Sequence, residues 1–137
     1  MVTRQRAVGT FTVQMKPQGG SSAMPEGASS LGRMLLDKVF SGDMAGSGVG
    51  EMLTAVTPTA GSAGYVAIEQ FTGTVHGRPG SFVMQHSGTM SQRRGQQLAI
   101  KVVPDSGSGA LRDIEGELLL KIEQGRHRYT LEYTLPE

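Results

Sequence analysis

Glu69 and His86 are the two residues of this chain whose chemistry and spacing point most directly to a site. They lie in two strand-like runs, Gly64–Val75 and Ser81–Met90, separated by the turn-forming residues Gly77-Arg78-Pro79-Gly80. With the turn at those four residues, His76 faces Ser81, Phe71 faces His86 and Glu69 faces Gly88. Side chains alternate between the two faces of a strand. One face then carries Tyr65, Ala67, Glu69, Phe71, Gly73, Val75, Phe82, Met84, His86, Gly88 and Met90. The other carries Val66, Ile68, Gln70, Thr72, Thr74, Val83, Gln85, Ser87 and Thr89. The aromatic and methionine side chains all fall on the first face, which is therefore the expected core. Glu69 and His86 are diagonal neighbours on it, so a carboxylate and an imidazole are buried together. Such a pair can exchange a proton near neutral pH, as general acid–base catalysis requires. It can equally be a partnered polar pair that holds strand register.

Tyr65, Tyr129 and Tyr133 share the expected inner face, where their hydroxyls could orient an oxygenated ligand or simply sit at a rim. Phe71, Phe82 and Met84 would shape a cavity around Glu69 and His86. Glu51 sits on a glycine-alternating stretch whose glycine face, if inward, turns Glu51 outward. No metal is expected, because His76, His86 and His127 lack ligand spacing and His76 and His86 fall on opposite faces. No cofactor motif is present. The Ser-Gly pairs have no nucleophile-elbow context, and Asp105-Ser-Gly-Ser-Gly reads as a turn.

The elements that must position these residues are strands. The chain has 137 residues, of which 20 are glycine and 37% are hydrophobic, which suits one domain (residues 1–137) rich in turns and close backbone contacts. Lys and Arg number 13 against 12 Asp and Glu, so nothing in the overall charge attracts nucleic acid. There is no cysteine, which excludes disulfides and thiolate chemistry. No apolar run approaches a membrane span or a signal sequence, and a soluble cytoplasmic protein is the expectation.

Thr10–Lys16 alternates cleanly, and Pro17 is expected to end it. Pro17–Ser30 reads as a long mobile loop that could cover one mouth of the fold as a lid. Leu31–Phe40 fits either a capped helix or a strand. Glu115–Glu123 and His127–Leu135 form a second hairpin around Gln124-Gly125, pairing Ile122 with His127 and Leu120 with Tyr129. Both hairpins keep their apolar residues on one face. Counting along the chain gives about eight strands, the pattern of an antiparallel barrel or sandwich. Val66, Ile68 and Val83 on the outer face suggest covering by a second copy, making a homo-oligomer.

Several segments together resemble a bacterial family of unknown function with an allene-oxide-cyclase-like β-barrel. They are Gly42-Asp-Met-Ala-Gly, Gly50-Glu-Met-Leu, Gly64-Tyr-Val-Ala-Ile-Glu, Gly77-Arg-Pro-Gly-Ser-Phe-Val-Met-Gln-His-Ser-Gly-Thr-Met, Val103-Pro-Asp-Ser-Gly-Ser-Gly and Gly125-Arg-His-Arg-Tyr. The resemblance implies an all-β fold, a single eight-stranded antiparallel β-barrel closed by its first and last strands, and makes Leu31–Phe40 a strand. Allene oxide cyclases and dirigent proteins are similar by fold, and hold apolar, oxygenated ligands whose cyclisation or coupling they steer. The expectation is a barrel that binds a small apolar oxygen-bearing ligand and acts as an isomerase or cyclase. The competing expectation is a filled barrel serving as a structural or interaction module.

Overall fold

The computed structural model describes residues 3–20 and 25–136. Nine strands and no helices make up these residues: β1 (Thr3–Gly20), β2 (Ser30–Gly42), β3 (Met44–Val56), β4 (Ala63–Val75), β5 (Arg78–Ser91), β6 (Gly95–Val102), β7 (Ser108–Gly109), β8 (Glu115–Glu123) and β9 (Arg126–Leu135). Each of the eight long strands pairs antiparallel with its neighbours, and β1 pairs with β9 to close an eight-stranded barrel. The short β7 adds to the start of β5 outside that ring. Leu31–Phe40 is strand, as the resemblance implied.

Alternation decides which residues face inward. On β4, Ala67, Glu69, Phe71 and Val75 are buried while Val66, Ile68, Gln70 and Thr72 are exposed. On β3 the glycine face is the inner one, which sends Glu51 outward to Arg33, whose Nε donates to Glu51 Oε1 at 2.9 Å.

The central hairpin differs from its expected register by four residues. Phe71 faces Phe82, Glu69 faces Met84 and Ala67 faces His86, and the last pair before the turn is Val75–Arg78. The turn is therefore His76-Gly77, with φ of 48° and 78°. Two successive residues of positive φ make the two-residue turn whose twist matches paired strands, so it wins over the longer Gly77–Gly80 loop. A slip of four preserves the faces, because side chains alternate with period two. The second hairpin has the expected register, with Ile122–His127 and Leu120–Tyr129 paired around Gln124-Gly125.

Pro17 does not end β1, which runs on to Gly20 with an irregularity between Pro17 and Gly20. Its pairing with β9 stops at Phe11, so the rest of β1 has one open edge, where a residue without an N–H is tolerated. Residues 21–24 of the expected lid lie outside the described residues.

The two ends of the barrel are built differently. At the end where β2, β4 and β9 finish, Met44, Val75, Phe82, Leu111, Ile114 and Tyr133 are fully buried. The turn between β7 and β8 supplies Leu111 and Ile114 as a plug, held by Leu111 N donating to Ser108 O and Ile114 N to Leu111 O. Above this plug an aromatic layer fills the barrel: Phe40 packs edge-to-face on Phe71 and Tyr129, and Phe71 is tilted against Phe82, with ring centres 5.2–5.7 Å apart. Toward the other end the inward residues no longer meet, and a cavity remains.

Candidate functional site

The cavity has a volume of about 300 Å³ and opens at the end where β1 and β3 finish. Its walls are apolar: Val13, Leu36, Met52, Leu98, Ile100 and Leu118 line it. Met15, Val56, Met90 and Ile122 also line it and are 38–55% exposed, so they form the mouth. At mid-height, against the aromatic layer, lies a charged cluster. Glu69 on β4 is fully buried, and its Oε1 accepts two hydrogen bonds. One comes from His86 Nε2 on β5 at 2.8 Å, the other from Lys38 Nζ on β2 at 2.9 Å. Lys38 Nζ also sits 4.7 Å from the Phe11 ring centre, within cation–π range.

Glu69 Oε2 makes no hydrogen bond and lies against Gly48 of β3. A β-carbon at Gly48 would sit 2.1 Å from that oxygen and 3.1 Å from a Phe40 ring carbon. Glycine at position 48 is what gives the carboxylate its place.

Burial alone would push the Glu69 carboxyl up. The hydrogen bond from His86 and the Lys38 ammonium outweigh it and hold the pKa below the ordinary carboxylate value. Glu69 is therefore ionised at neutral pH and can only accept, so His86 Nε2 must carry the shared proton. Nδ1 is the ring nitrogen left over by that bond. It makes no hydrogen bond among the described residues.

Tyr65 lines the cavity above the cluster, and burial followed by the Glu69 charge pushes its hydroxyl pKa up. Met84 lines it as well. Phe71, Phe82, Tyr129 and Tyr133 do not, since they fill the closed half. Tyr129 is a structural clamp: its hydroxyl accepts from Met44 N at 2.8 Å and lies 2.9 Å from Ser41 O. Tyr133 bonds His76 Nδ1 at 2.5 Å and Gln5 Oε1 at 3.2 Å. Glu69 and His86 meet as the strand parity implied, and Lys38 joins them without having been expected. Its signal was position: Lys38 has the same parity as Leu36 and Phe40, and so points inward once β2 is a strand.

Fold and site together define a small closed β-barrel with one plugged end, one apolar cavity and a buried Lys–Glu–His cluster at the cavity floor. The chain belongs to the DUF3224 family, proteins of unknown function, whose model matches residues 7–133. It is similar to a protein of unknown function from that family in Shewanella oneidensis MR-1, known from a crystal structure. The two are 41% identical over 98% of this chain and 99% of the other, with a TM-score of 0.91. No curated protein matches the chain.

Proposed function

We propose that this barrel binds a small, apolar, oxygen-bearing ligand, with the oxygen turned toward Lys38, Glu69 and His86. The observation that carries the reading is the pairing of an apolar, one-ended cavity with a single charged cluster at its floor. Ligand pockets have this composition: mostly apolar walls and a few convergent polar groups. The volume of about 300 Å³ suits a molecule the size of a medium-chain alcohol or a monocyclic ketone. The resemblance to the barrels of allene oxide cyclases and dirigent proteins, which hold apolar oxygenated ligands, supports the same reading as a fold-level analogy.

Titration of the labelled protein with 2-nonanol, followed by amide NMR shifts, tests it. Saturable shifts at Leu36, Met52, Glu69 and Leu98 are expected, with loss of binding in Ala67→Met, which fills the cavity. Absence of shifts, or shifts indifferent to that substitution, would refute it.

A second feature of the molecule favours self-association. Leu53, Val66 and Ile68 stand side by side on the outer face of β3 and β4, each more than half exposed. Val83, on the same face, is partly covered by the chain's own segment at Val103–Ser106. A second copy covering this stripe makes the protein a homo-oligomer.

A further inference from the structure

Resting on the reading that the cavity holds an oxygen-bearing ligand, we infer that the ligand is a neutral, enolisable ketone whose α-proton the site moves. The three members of the cluster have distinct free capacities. Lys38 gives one N–H to Glu69 and makes no other hydrogen bond among the described residues, leaving ammonium protons for a ligand oxygen. His86 has its Nε2–H committed to Glu69 and its Nδ1 lone pair free. Glu69 has one oxygen doubly used and the other packed on Gly48. The cavity floor therefore presents an ammonium donor and an imidazole whose Nδ1 is unpartnered, and no accessible carboxylate.

That combination selects among oxygenated ligands. A carboxylate would set a second anion beside Glu69 in an apolar barrel, with a single lysine between the two. An ammonium would sit beside that of Lys38 with no free carboxylate oxygen to meet it. An alcohol matches the donor and acceptor but has no acidic C–H for the base to remove. A ketone matches both: its oxygen accepts from Lys38 while its α-carbon faces a base. Held as an ammonium against Glu69, Lys38 has no lone pair with which to attack the carbonyl, so the chemistry is non-covalent.

For a β,γ-unsaturated ketone the step balances without an oxidant or reductant. Nδ1 of His86 takes the α-proton, and the C–H electron pair forms the new double bond of a dienolate. The carbonyl π pair moves onto oxygen, where the Lys38 hydrogen bond stabilises the growing charge. Glu69 stabilises the imidazolium formed. His86 then returns the proton to the γ-carbon, the carbonyl re-forms, and the product is the conjugated isomer.

The test uses cyclohex-3-en-1-one as substrate, with cyclohexanone and cyclohexanol as NMR binding probes. Conjugation to cyclohex-2-en-1-one, read by ultraviolet absorbance, is expected to run well above the buffer rate. His86→Gln keeps an N–H for Glu69 but lacks the base, and is expected to lose at least about 100-fold in rate while still binding cyclohexanone. The double variant Lys38→Met/Glu69→Gln leaves no buried charge unpaired, guarding against simple misfolding, and is expected to lose rate and ketone affinity together. Wild-type conversion no faster than buffer, or no faster than His86→Gln, overturns the inference. If cyclohexanol binds while the ketone is not converted, the inference falls and the ligand reading stands. If neither probe binds, both fall. A Lys38 adduct trapped by borohydride in the presence of the ketone would overturn the non-covalent assignment.

Discussion

Replacing Glu69 by glutamine tests whether the cluster is held together by charge. Glutamine is nearly isosteric, so its Oε1 can still accept from Lys38 and His86 where the carboxylate did, at 2.9 and 2.8 Å. Two things change. The Lys38 ammonium, with a side chain only 10% exposed, loses its counter-charge. The new amide N–H₂ takes the place of Oε2 against Gly48, where the carboxylate oxygen makes no hydrogen bond. Breaking a fully buried pair costs about 3–5 kcal/mol, which the retained neutral hydrogen bonds reduce. The expected loss at pH 7 is thus about 2–4 kcal/mol. With a urea slope of about 2 kcal/mol/M, the midpoint should fall by about 1–2 M.

The pH dependence has a definite sign. The folded pKa of Glu69 is depressed. Its contribution is fully present above the unfolded value of about 4.3 and is lost as pH falls through the lower folded value. Protonated Glu69 is neutral like glutamine, so the two unfolding curves should converge in acid. Urea titrations of both proteins from pH 7 to pH 3 would decide the matter. Coincident midpoints at pH 7, or a gap that stays constant down to pH 3, would refute the electrostatic account.

Three further outcomes follow from particular contacts. Gly48→Ala forces a β-carbon onto Glu69 Oε2 and should destabilise by about 1–3 kcal/mol. The control Val49→Ala, at a residue 54% exposed, should stay within about 0.5 kcal/mol in the same urea assay. Tyr129→Phe strands the Met44 amide and should cost about 1–3 kcal/mol, yet leave cyclohexanone binding unchanged because Tyr129 lies outside the cavity. Sedimentation equilibrium at micromolar concentration should give more than the 14.5 kDa monomer mass, and Val66→Lys/Ile68→Lys should restore the monomer. A wild-type monomer would dismiss the outer stripe as an interface.

How much could be read in the residues depended on what kind of rule governed each feature. Face assignments survived because they depend only on parity: a hairpin slipped by four residues still buries Glu69 and His86 on one side. The pairing itself was harder, because residues 76–80 offer two turns, His76-Gly77 and Gly77–Gly80. Only the backbone shows that His76 accepts a positive φ to make the tighter one. The continuation of β1 through Pro17 was invisible for a related reason, since whether proline breaks a strand depends on which edge is unpaired. Where the aromatic residues divide, with Phe71, Phe82, Tyr129 and Tyr133 in the plugged half and Tyr65 in the hollow one, is set by strand stagger that no local pattern encodes. Lys38 was legible in principle, since it shares parity with Leu36 and Phe40 once its segment is a strand.

The cluster's composition bears on why it is there at all. A polar pair kept only to fix register needs one donor and one acceptor, and His86 with Glu69 would suffice. The barrel instead adds a lysine across from them, and gives up a side chain at Gly48 so that the carboxylate fits. Buried ion pairs of this kind are often replaceable by apolar residues with no loss of stability. Here the neighbouring layer already shows the apolar solution, in Phe40, Phe71 and Phe82. The charged groups sit one layer further up, where the packed half of the barrel ends and the cavity begins. That boundary is the position the proposed ligand reading requires, because a charged group there meets the cavity.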